Sequence, residues 1–567
     1  MFNFKHSVIF SALALSLTAC GSSSDDKNTA PYGVTLSSNT VAENTVGATV
    51  GTLSATDDQG NAVTFTLASG ADANFEIDGN TLKLAAGKSL NYEPNGEPVA
   101  EIVLPIIVSD GEMQKEETIV VTVSDELDFY GFYDGNGEST VSYSGQIARH
   151  AIIAELNKYI SSTLTTDVSV GGDDKTAILN KLYAFYFNPD KSKIPDGATP
   201  IPDGVDVASV LSANLAFFDN ASQMSINDIS TGKNLQDKIA GNDSKTDHKT
   251  WTDGTSFVAF SNTFMTNDFS NTPEGLLLRL FDKLADNAVA ENALSNTGVY
   301  YVTPEGLDLQ QLIQKFLLGA VAFQQGTDDY LHDDEDDKGL MSSNTEYDGK
   351  YTILEHQWDE GFGYFGAARD YLSYTDDELA SSTPYMDTDD DGKINLNSEY
   401  NFGNSTNAAK RDRADTAGTD LTKDAMEAFL KGRALINANA GSALTDAQMT
   451  ELKGYRDAAV LAWEQAVAAT VIHYINDSIV DLEKVGTAEF SLTTLAKHWS
   501  ELKGFLIGLQ FNPASPLKTD FVTVNNLVGD QPVFTADGKD AYIANLENAR
   551  DLMRDAYGFT QAQVAGW

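Results

Sequence analysis

The sequence is short of cysteine, of basic residues and, over one long stretch, of proline. A single cysteine among 567 residues excludes a disulfide scaffold, and it excludes zinc or iron–sulfur sites built from cysteine. Lys and Arg number 37 against 83 Asp and Glu, a formal net charge of −46. A surface this negative repels phosphate backbones and anionic membranes, so nucleic-acid binding is excluded and cations are the favoured ligands. No proline occurs between Pro384 and Pro513, which permits long helices there.

Composition and length describe a folded protein of several domains. Hydrophobic residues make up 42% of the chain and aromatic residues 10%, which is typical of globular proteins rather than disordered ones. At roughly 100–200 residues per domain, the chain corresponds to about three or four domains. It is therefore long enough to bury a sizeable apolar core.

The N-terminus has the pattern of an export signal. Lys5 and His6 precede an apolar run at 7–17, which is shorter than the ~20 residues that a membrane-spanning helix needs. Cys20, the only cysteine, follows Leu17-Thr-Ala, and this stretch resembles the lipobox of bacterial lipoproteins. An ordinary secretory signal that ends in cysteine by chance is the alternative.

The lipobox resemblance implies a location. Residues 1–19 would be the signal peptide, Cys20 would carry the lipid, and the polar stretch 20–30 would be a flexible tether. Glycine after the cysteine implies sorting to the outer membrane, where the lipid-anchored protein would be periplasmic or surface-exposed. No later segment is expected to span a membrane.

Residues 31–128 are rich in Val, Thr and Ile, arranged in short alternating runs. The runs 46–53, 62–67 and 117–123 have the two-residue period of β-strands, and turn-forming residues separate them. About seven such strands in roughly a hundred residues predict a β-sandwich.

Acidic residues of this region recur in an order that resembles a cadherin repeat. They stand in the segments Ala42-Glu-Asn, Ala55-Thr-Asp-Asp, Leu90-Asn-Tyr-Glu, Val108-Ser-Asp-Gly and Val123-Ser-Asp-Glu-Leu-Asp. The resemblance implies calcium ligands at one end of the repeat, and others that face a preceding repeat. The first set is Glu43, Asn91, Glu93, Asp125 and Asp128, and the second is Asp57 and Asp110.

Calcium takes six to eight oxygen ligands, so clustered carboxylates suit it. The sequence departs from the cadherin pattern at three positions. Asn91 stands where Asp is usual, Leu127 replaces an Asn, and Gln59 replaces a second Asp. The alternative is a β-sandwich spacer whose calcium sites are weak or empty.

Residues 129–567 predict a large helical domain. Apolar residues recur at helical spacing, for example at Val460, Trp463, Val467 and Val471. Thr445-Asp-Ala-Gln is a capping box that opens a long helix running to about residue 482. The predicted fold class is therefore multidomain: a small all-β cadherin-like sandwich followed by a large all-α helical-bundle domain.

Two helical segments, 353–366 and 495–508, share one pattern. Each has a His, a Trp within two residues, a carboxylate three or four residues on, and a Gly ten residues after the His. These spacings place His and carboxylate on one helix face, as in metal sites of helical bundles. Glycines inside helices are unfavourable and therefore predict close helix approach or a break. The candidate ligands of a divalent transition metal are His356, Asp359, Glu360, His498 and Glu501, with His473 as a further one.

The alternative for each segment is a buried His paired with a carboxylate, without metal. The helical region also resembles an uncharacterised family of bacterial surface proteins related to imelysin (DUF4856-like). The resemblance rests on His356-Gln-Trp-Asp-Glu-Gly-Phe-Gly, Ser398-Glu-Tyr-Asn-Phe-Gly and His498-Trp-Ser-Glu-Leu-Lys-Gly-Phe, and it runs from about residue 130 to the C-terminus.

The imelysin resemblance implies a duplicated helical bundle in the bacterial envelope with a His-x-x-Glu motif linked to iron uptake. His498 and Glu501 match that motif, whereas His356 has Asp359 at the same spacing and Glu360 one residue later. No nucleophile–base pair or zinc-protease motif is present, so no catalytic residue is assigned. An envelope hydrolase is the weakest hypothesis.

An acidic segment at 385–399 resembles the first half of an EF-hand loop. Oxygen ligands stand at positions 1, 3 and 5, Gly at 6, a backbone carbonyl at 7 and an apolar residue at 8. The twelfth position is serine, and Glu399 comes one residue late. The predicted calcium ligands are Asp387, Asp389, Asp391, Lys393 and Glu399, and the alternative is a solvated acidic turn.

The sequence therefore predicts a non-enzymatic lipoprotein of the cell envelope. It would bind calcium and capture a divalent transition metal such as iron in its helical domain. The alternative function is adhesion, in which the β domain contacts a surface protein or glycan and the helical domain is scaffold.

Overall fold

The computed structural model describes residues 27–93, 98–187, 213–242, 257–266, 268–294, 299–414 and 418–567. They form two compact units, a β unit that ends at Glu126 and a helical unit from Leu127 to Trp567. The predicted fold class, an all-β region followed by a large helical region, is confirmed. Cys20 and the signal segment lie outside the described residues.

The β unit consists of two four-stranded sheets that share one core. Its strands are β1 Tyr32–Leu36, β2 Thr40–Ala42, β3 Thr49–Thr56, β4 Thr64–Leu67, β5 Phe75–Asp78, β6 Thr81–Leu84, β7 Glu101–Ser109 and β8 Gln114–Ser124. The strand orders are β1-β3-β6-β5 and β2-β8-β7-β4, and β2 pairs with β8 in parallel. Apolar side chains from both sheets, among them Leu82 and Leu104, are buried together, as in a β-sandwich.

The helical unit contains fifteen α-helices of four or more residues among the residues that the structure describes, and a short hairpin of β9 Tyr347–Asp348 and β10 Tyr351–Thr352. The helices are α1 Ser144–Lys158, α2 Lys175–Phe187, α3 Ile226–Ile229, α4 Asn262–Met265, α5 Pro273–Leu294, α6 Leu309–Leu317, α7 Ile353–Phe365, α8 Asp376–Leu379, α9 Gly403–Ala414, α10 Leu421–Ala438, α11 Asp446–Glu483, α12 Leu492–Gly508, α13 Phe521–Val528, α14 Lys539–Tyr557 and α15 Gln561–Gly566. Helix α6 continues through π-helical turns at Leu318–Phe323 and Gln325–Tyr330. Such turns change the helix face that each later residue presents.

Helix α11 begins where the sequence predicted. The Thr445 hydroxyl accepts the N–H of Gln448, whose side chain in turn accepts the N–H of Thr445. Among the described helices, α11 alone is long and apolar enough to cross a membrane by length and composition. However, 72% of its most apolar stretch is buried inside the protein, which is typical of a core helix.

Glycines allow the helices of this core to approach closely. A Cβ added to Gly319, in the π-helical part of α6, would lie 2.7 Å from the Cα of Gly508 in α12. A Cβ added to Gly363 in α7 would lie 2.7 Å from the Cβ of Tyr143. Gly366 ends α7 with φ +83°, a conformation that favours glycine. The close approach and helix break predicted from the glycines of the two His segments are confirmed.

We predict that Gly432→Ala in α10 destabilises the protein by about 1–3 kcal/mol. The new Cβ would overlap the indole ring of Trp358, which is fully buried and donates its Nε1–H to the carbonyl of Phe429. Gly454→Ala is the matched control, because Gly454 is exposed on α11 and nothing lies within 4 Å of its added Cβ. That variant should gain up to about 1 kcal/mol from helix propensity. Urea denaturation measures both, and a stabilised Gly432→Ala variant would contradict this packing.

Candidate functional site

Three carboxylates meet at one end of the β unit. Oxygens of Glu43, Glu93 and Asp125 all lie within 4.8 Å of one another. Glu43 is fully buried and Glu93 is buried, whereas Asp125 is exposed. Glu43 is held in place because its two oxygens accept the backbone N–H groups of Tyr92 at 2.6 Å and Glu126 at 2.9 Å. Carboxylates this close repel one another when ionised, and a divalent cation between them offsets the repulsion.

The other predicted ligands of the β unit do not all join this cluster. Asn91 Oδ1 accepts the N–H of Glu93 at 2.8 Å and so orders the turn, and Asp128 belongs to the helical unit. Asp110 follows β7 and Asp125 follows β8. Because Ser109 pairs with Gln114 in this hairpin, these two aspartates stand at its opposite ends.

Asp57 and Asp110 share the opposite end of the β unit and stabilise turns there. Asp57 Oδ1 accepts the N–H of Asn61 at 2.7 Å, and Asp110 Oδ1 accepts the N–H of Met113 at 2.7 Å. Asn28 joins the two turns, since its amide donates to Asp110 at 2.9 Å and its carbonyl accepts from Asn61 at 3.3 Å. In the described residues, this end holds no cluster of three or more candidate ligands.

The acidic loop brings Asp387, Asp389 and Asp391 together, with oxygens within 4.8 Å of one another. Asp387 Oδ1 and Asp389 Oδ1 each accept the N–H of Asp391 at 3.1 Å. That N–H lowers the pKa of the Asp389 carboxyl, but burial and the charges of Glu399, Asp391 and Asp387 outweigh it and raise the pKa above its ordinary value. The loop therefore concentrates negative charge that a bound cation would neutralise.

Glu399 closes this loop although it stands one position late. Its Oε1 accepts both the N–H and the hydroxyl of Thr388, at 2.8 and 2.6 Å, and its Oε2 accepts the N–H of Asn395 at 2.7 Å. Glu399 is thus buried and joins the two ends of the loop by hydrogen bonds. It is not one of the three clustered carboxylates. The loop is also fixed from outside, because buried Ile394 forms a bridge with Ala221.

His356 lies on α7 among partners of its own. Its Nδ1 donates to the carbonyl of Ser142 at 3.0 Å, and its ring stacks on Tyr351 with centroids 4.6 Å apart. Its Nε2 is 3.8 Å from Glu360 Oε2. Gln146 also donates to Glu360, at 2.7 Å. The predicted pairing of His356 with Glu360 is therefore present in the structure, at the outer limit of an ion-pair distance.

Asp359, predicted as a metal ligand, instead accepts three hydrogen bonds in the core. Arg433 Nε donates to its Oδ1 at 2.8 Å, the Tyr130 hydroxyl donates to the same oxygen at 2.9 Å, and the N–H of Ser142 donates to Oδ2 at 3.0 Å. Asp359 and Arg433 are both fully buried. The Asp359 carboxylate therefore neutralises the buried guanidinium of Arg433. Its position three residues after His356 serves this ion pair.

His498 pairs with carboxylates from the preceding helix, and this pairing differs from the predicted pairing with Glu501. Its Nδ1 lies 2.8 Å from Asp481 Oδ2 and its Nε2 lies 3.8 Å from Asp477 Oδ2. His473 Nε2 approaches the same Asp477 oxygen at 3.4 Å. The four-residue spacing of His473 and Asp477 on α11 was the available signal. Glu501, in contrast, lies 3.7 Å from Lys315 Nζ.

The structure does not bring the two His segments to a common site. Among the described residues, His356 and His498 share no hydrogen-bond, ion-pair or ring partner. Among the described residues, no group of three or more clustered candidate ligands includes either histidine, so the metal ligands predicted for the helical domain stay a prediction. Their helices resemble each other in sequence because both bury Trp and pack closely through Gly.

We predict that Arg433→Met destabilises the protein by about 3–5 kcal/mol, because Asp359 and Glu355 would be left buried without their counter-charge. Arg413→Met is the control. Its side chain is 51% exposed and lies 3.7 Å from exposed Asp377, so its loss should cost less than about 1 kcal/mol. Urea denaturation of the two variants measures the difference, and equal losses would show that the buried network has no special role.

Two solved structures with similarity at the N-terminal region are crystal forms of human protocadherin-24 EC1-2, at 22% and 27% sequence identity. Each match covers 19% of this chain and 50% of that chain, with a TM-score of 0.16. The chain thus spans about half the length of those structures, and a TM-score this low carries no argument about fold or function.

No curated protein matches the chain. A family described as a domain of unknown function, DUF4856, matches residues 203–554, which is more than half of the chain. The protein therefore belongs to the DUF4856 family.

Proposed function

We propose that this protein is a calcium-binding protein of the bacterial cell envelope, with one calcium ion in each of its two acidic clusters. The observation that carries the proposal is the convergence of Glu43, Glu93 and Asp125, two of them buried, within 4.8 Å. Burying ionised carboxylates side by side is unfavourable unless a cation joins them. Calcium suits oxygen-only ligand sets that also include backbone carbonyls.

The acidic loop supports a second calcium ion. Asp387, Asp389 and Asp391 offer oxygens at alternate positions, and Gly392 has φ +83°, which permits the sharp turn of an EF-hand-type loop. The hydrogen bonds from Thr388 and Asn395 to Glu399 hold the loop in this shape. The cation would therefore meet a site that is already organised, which reduces the entropy lost on binding.

The envelope location rests on the sequence. Cys20 in its lipobox-like setting supports a lipid anchor in the outer membrane, and the export signal supports an extracytoplasmic environment, where calcium is plentiful enough for sites of modest affinity. The resemblance of the helical region to imelysin-related envelope proteins supports the same location. In this proposal the protein acts by binding and not by catalysis.

We predict that calcium raises the thermal stability of chelator-treated protein, by about 2.7 kcal/mol per site at a hundredfold excess over Kd. Calorimetric titration should show two sites. Asp125→Asn should remove the site in the β unit and Asp389→Asn should remove the site in the loop.

Each of these variants has a matched control with the same change of charge. Asp110→Asn alters the opposite end of the β7–β8 hairpin. Asp390→Asn alters the residue next to Asp389. The φ of Asp390 is +56°, a conformation that asparagine tolerates. Both controls should keep two sites. If Asp389→Asn and Asp390→Asn weaken calcium equally, the loop responds only to overall charge and holds no specific site.

A transition metal in the helical unit is a second candidate function. The observation that favours it is the Asp477 carboxylate, whose Oδ2 lies within 3.4 Å of His473 Nε2 and 3.8 Å of His498 Nε2. Imidazole nitrogens and a carboxylate from two packed helices are typical ligands of iron or zinc.

Elemental analysis of protein purified without chelator tests this second candidate. We expect about one iron or zinc per chain, lost in His498→Ala and retained in His356→Ala, because the two histidines have separate partners. A metal content that falls equally in both variants, or that is absent from the wild-type protein, would exclude a metal site at Asp477.

A further inference from the structure

A cavity of about 290 Å³ lies in the helical unit, beside the first half of α11. Its walls come from α11, from the π-helical turn Gln325–Tyr330 with the residues after it, and from the segment 512–516 that follows α12. At ~30 Å³ for each water molecule, this volume corresponds to about ten waters. The cavity therefore has room for one small molecule, and none of its lining residues belongs to the two acidic clusters.

The inner end of the cavity is polar and held by hydrogen bonds. Glu464 is fully buried there. Its Oε1 accepts the hydroxyls of Ser515 and Tyr557 at 2.5 and 2.6 Å, and its Oε2 accepts Asn512 Nδ2 at 2.5 Å. Burial raises the pKa of Glu464 to about 7, although these three donors oppose the rise.

Asn512 is thereby presented to the cavity in a fixed orientation. Its Oδ1 accepts the N–H of Ala514 at 3.0 Å, while its Nδ2 donates one hydrogen to Glu464. An amide nitrogen carries two hydrogens. Among the described residues the second hydrogen has no acceptor, so a ligand oxygen can accept it.

The outer end of the cavity carries charges that are already paired. Asp457, whose side chain is 71% exposed, accepts Arg456 Nε at 2.6 Å through one of its oxygens. Arg456 Nη1 also lies 3.2 Å from Asp333 Oδ1, and His332 Nδ1 lies 2.6 Å from Asp334 Oδ1. A charged ligand would compete with these ion pairs, whereas a neutral ligand leaves them intact. Asp457 still offers its second carboxylate oxygen to a donor.

The walls between the two ends are aliphatic, and they are formed by Val460, Leu461, Ala514 and Pro516. Val460 stands four residues from both Arg456 and Glu464, so one face of α11 presents a polar, an apolar and again a polar group. Among the described residues that line the cavity, none is aromatic. A planar ring system therefore finds no stacking partner, while aliphatic C–H groups find apolar contact.

We propose that this cavity is a binding site for a neutral sugar of the size of one hexose. Each sugar hydroxyl both donates and accepts, so one ring can accept from Asn512 at the inner end and donate to Asp457 at the outer end. Its C–H groups then lie against the aliphatic walls. Asp457 and Leu461 are exposed at the outer end, so the hexose can be free or can end a longer glycan. This function is separate from calcium binding.

Calorimetric titration of the full chain with D-glucose, D-galactose and D-mannose tests the proposal. We expect saturable 1:1 binding of at least one of them, with or without a calcium chelator. The amino and uronic-acid derivatives of the bound hexose carry opposite charges. Both should bind at least about tenfold more weakly, because each competes with the ion pairs at the outer end.

A disaccharide that ends in the bound hexose distinguishes the two sources of the sugar. Equal affinity for the disaccharide supports the end of a glycan as the natural ligand. Loss of affinity supports the free hexose, because the second ring then clashes at the opening.

Asp457→Ala should lower the affinity for the bound hexose about tenfold, because a sugar hydroxyl loses a charged acceptor. Asp555→Ala on α14 is the matched control. Asp555 is 70% exposed and accepts Nε of the preceding Arg554 at 2.9 Å, as Asp457 does from Arg456, but it does not line the cavity. Its affinity should stay within about twofold of the wild-type value.

Ala514→Phe gives a second readout that depends on space and not on hydrogen bonding. Ala514 is exposed and lines the cavity, so the larger side chain should remain compatible with the fold and should exclude the hexose. Circular dichroism checks that each variant is folded, and that the chain stays folded in the chelator.

Four results would overturn the proposal. The first is no saturable binding of any of the three hexoses, and the second is a charged derivative that binds more tightly than its parent hexose. The third is an equal loss of affinity in Asp457→Ala and Asp555→Ala. The fourth is binding that disappears from the folded chain when the chelator is added, because a bound calcium ion would then hold the sugar.

Discussion

The helical unit depends on one buried guanidinium. Arg433 on α10 donates Nε to Asp359, Nη1 to Glu355 and Nη2 to Thr140, and its charge lies 4.9 Å from the ring centroid of Phe132. A buried charge is stable only when every donor finds an acceptor, so α7, α10 and the chain before α1 must all adopt one arrangement. This requirement fixes the rotation of α7. It thereby determines that His356 faces Ser142 and that Asp359 faces inward.

Arg433 and Arg411 are both buried, but they differ in how well their donors are satisfied. Both guanidiniums are removed from solvent on helices of the same unit. Arg433 has two carboxylates and a threonine as partners, and is therefore part of the fold. Arg411 keeps two nitrogens, Nε and Nη1, without an acceptor among the described residues, and each such buried donor costs free energy that Arg433 does not incur.

The acidic clusters follow a similar principle with the sign reversed. In the β unit, backbone N–H groups hold the buried Glu43 carboxylate in position, and in the loop they hold Asp387 and Asp389. Backbone donors fix the oxygens without removing the net negative charge, since a peptide N–H carries only a partial charge. Each cluster therefore concentrates carboxylates in a fixed arrangement. The net charge of −46 is thus not spread evenly, because the fold gathers part of it at these two places.

The sequence by itself determined the order of a β unit and a helical unit, the start of α11 at its capping box, the close helix contacts at Gly363 and Gly508, and the acidic loop. These features depend on residues that are adjacent or periodic along the chain, so local physics specifies them. Only the tertiary structure decided that Asp359 neutralises Arg433, that His498 pairs with Asp481, and that Arg411 is buried. Helical periodicity gives the face on which a side chain lies, but the packing of separate helices decides which group lies opposite it.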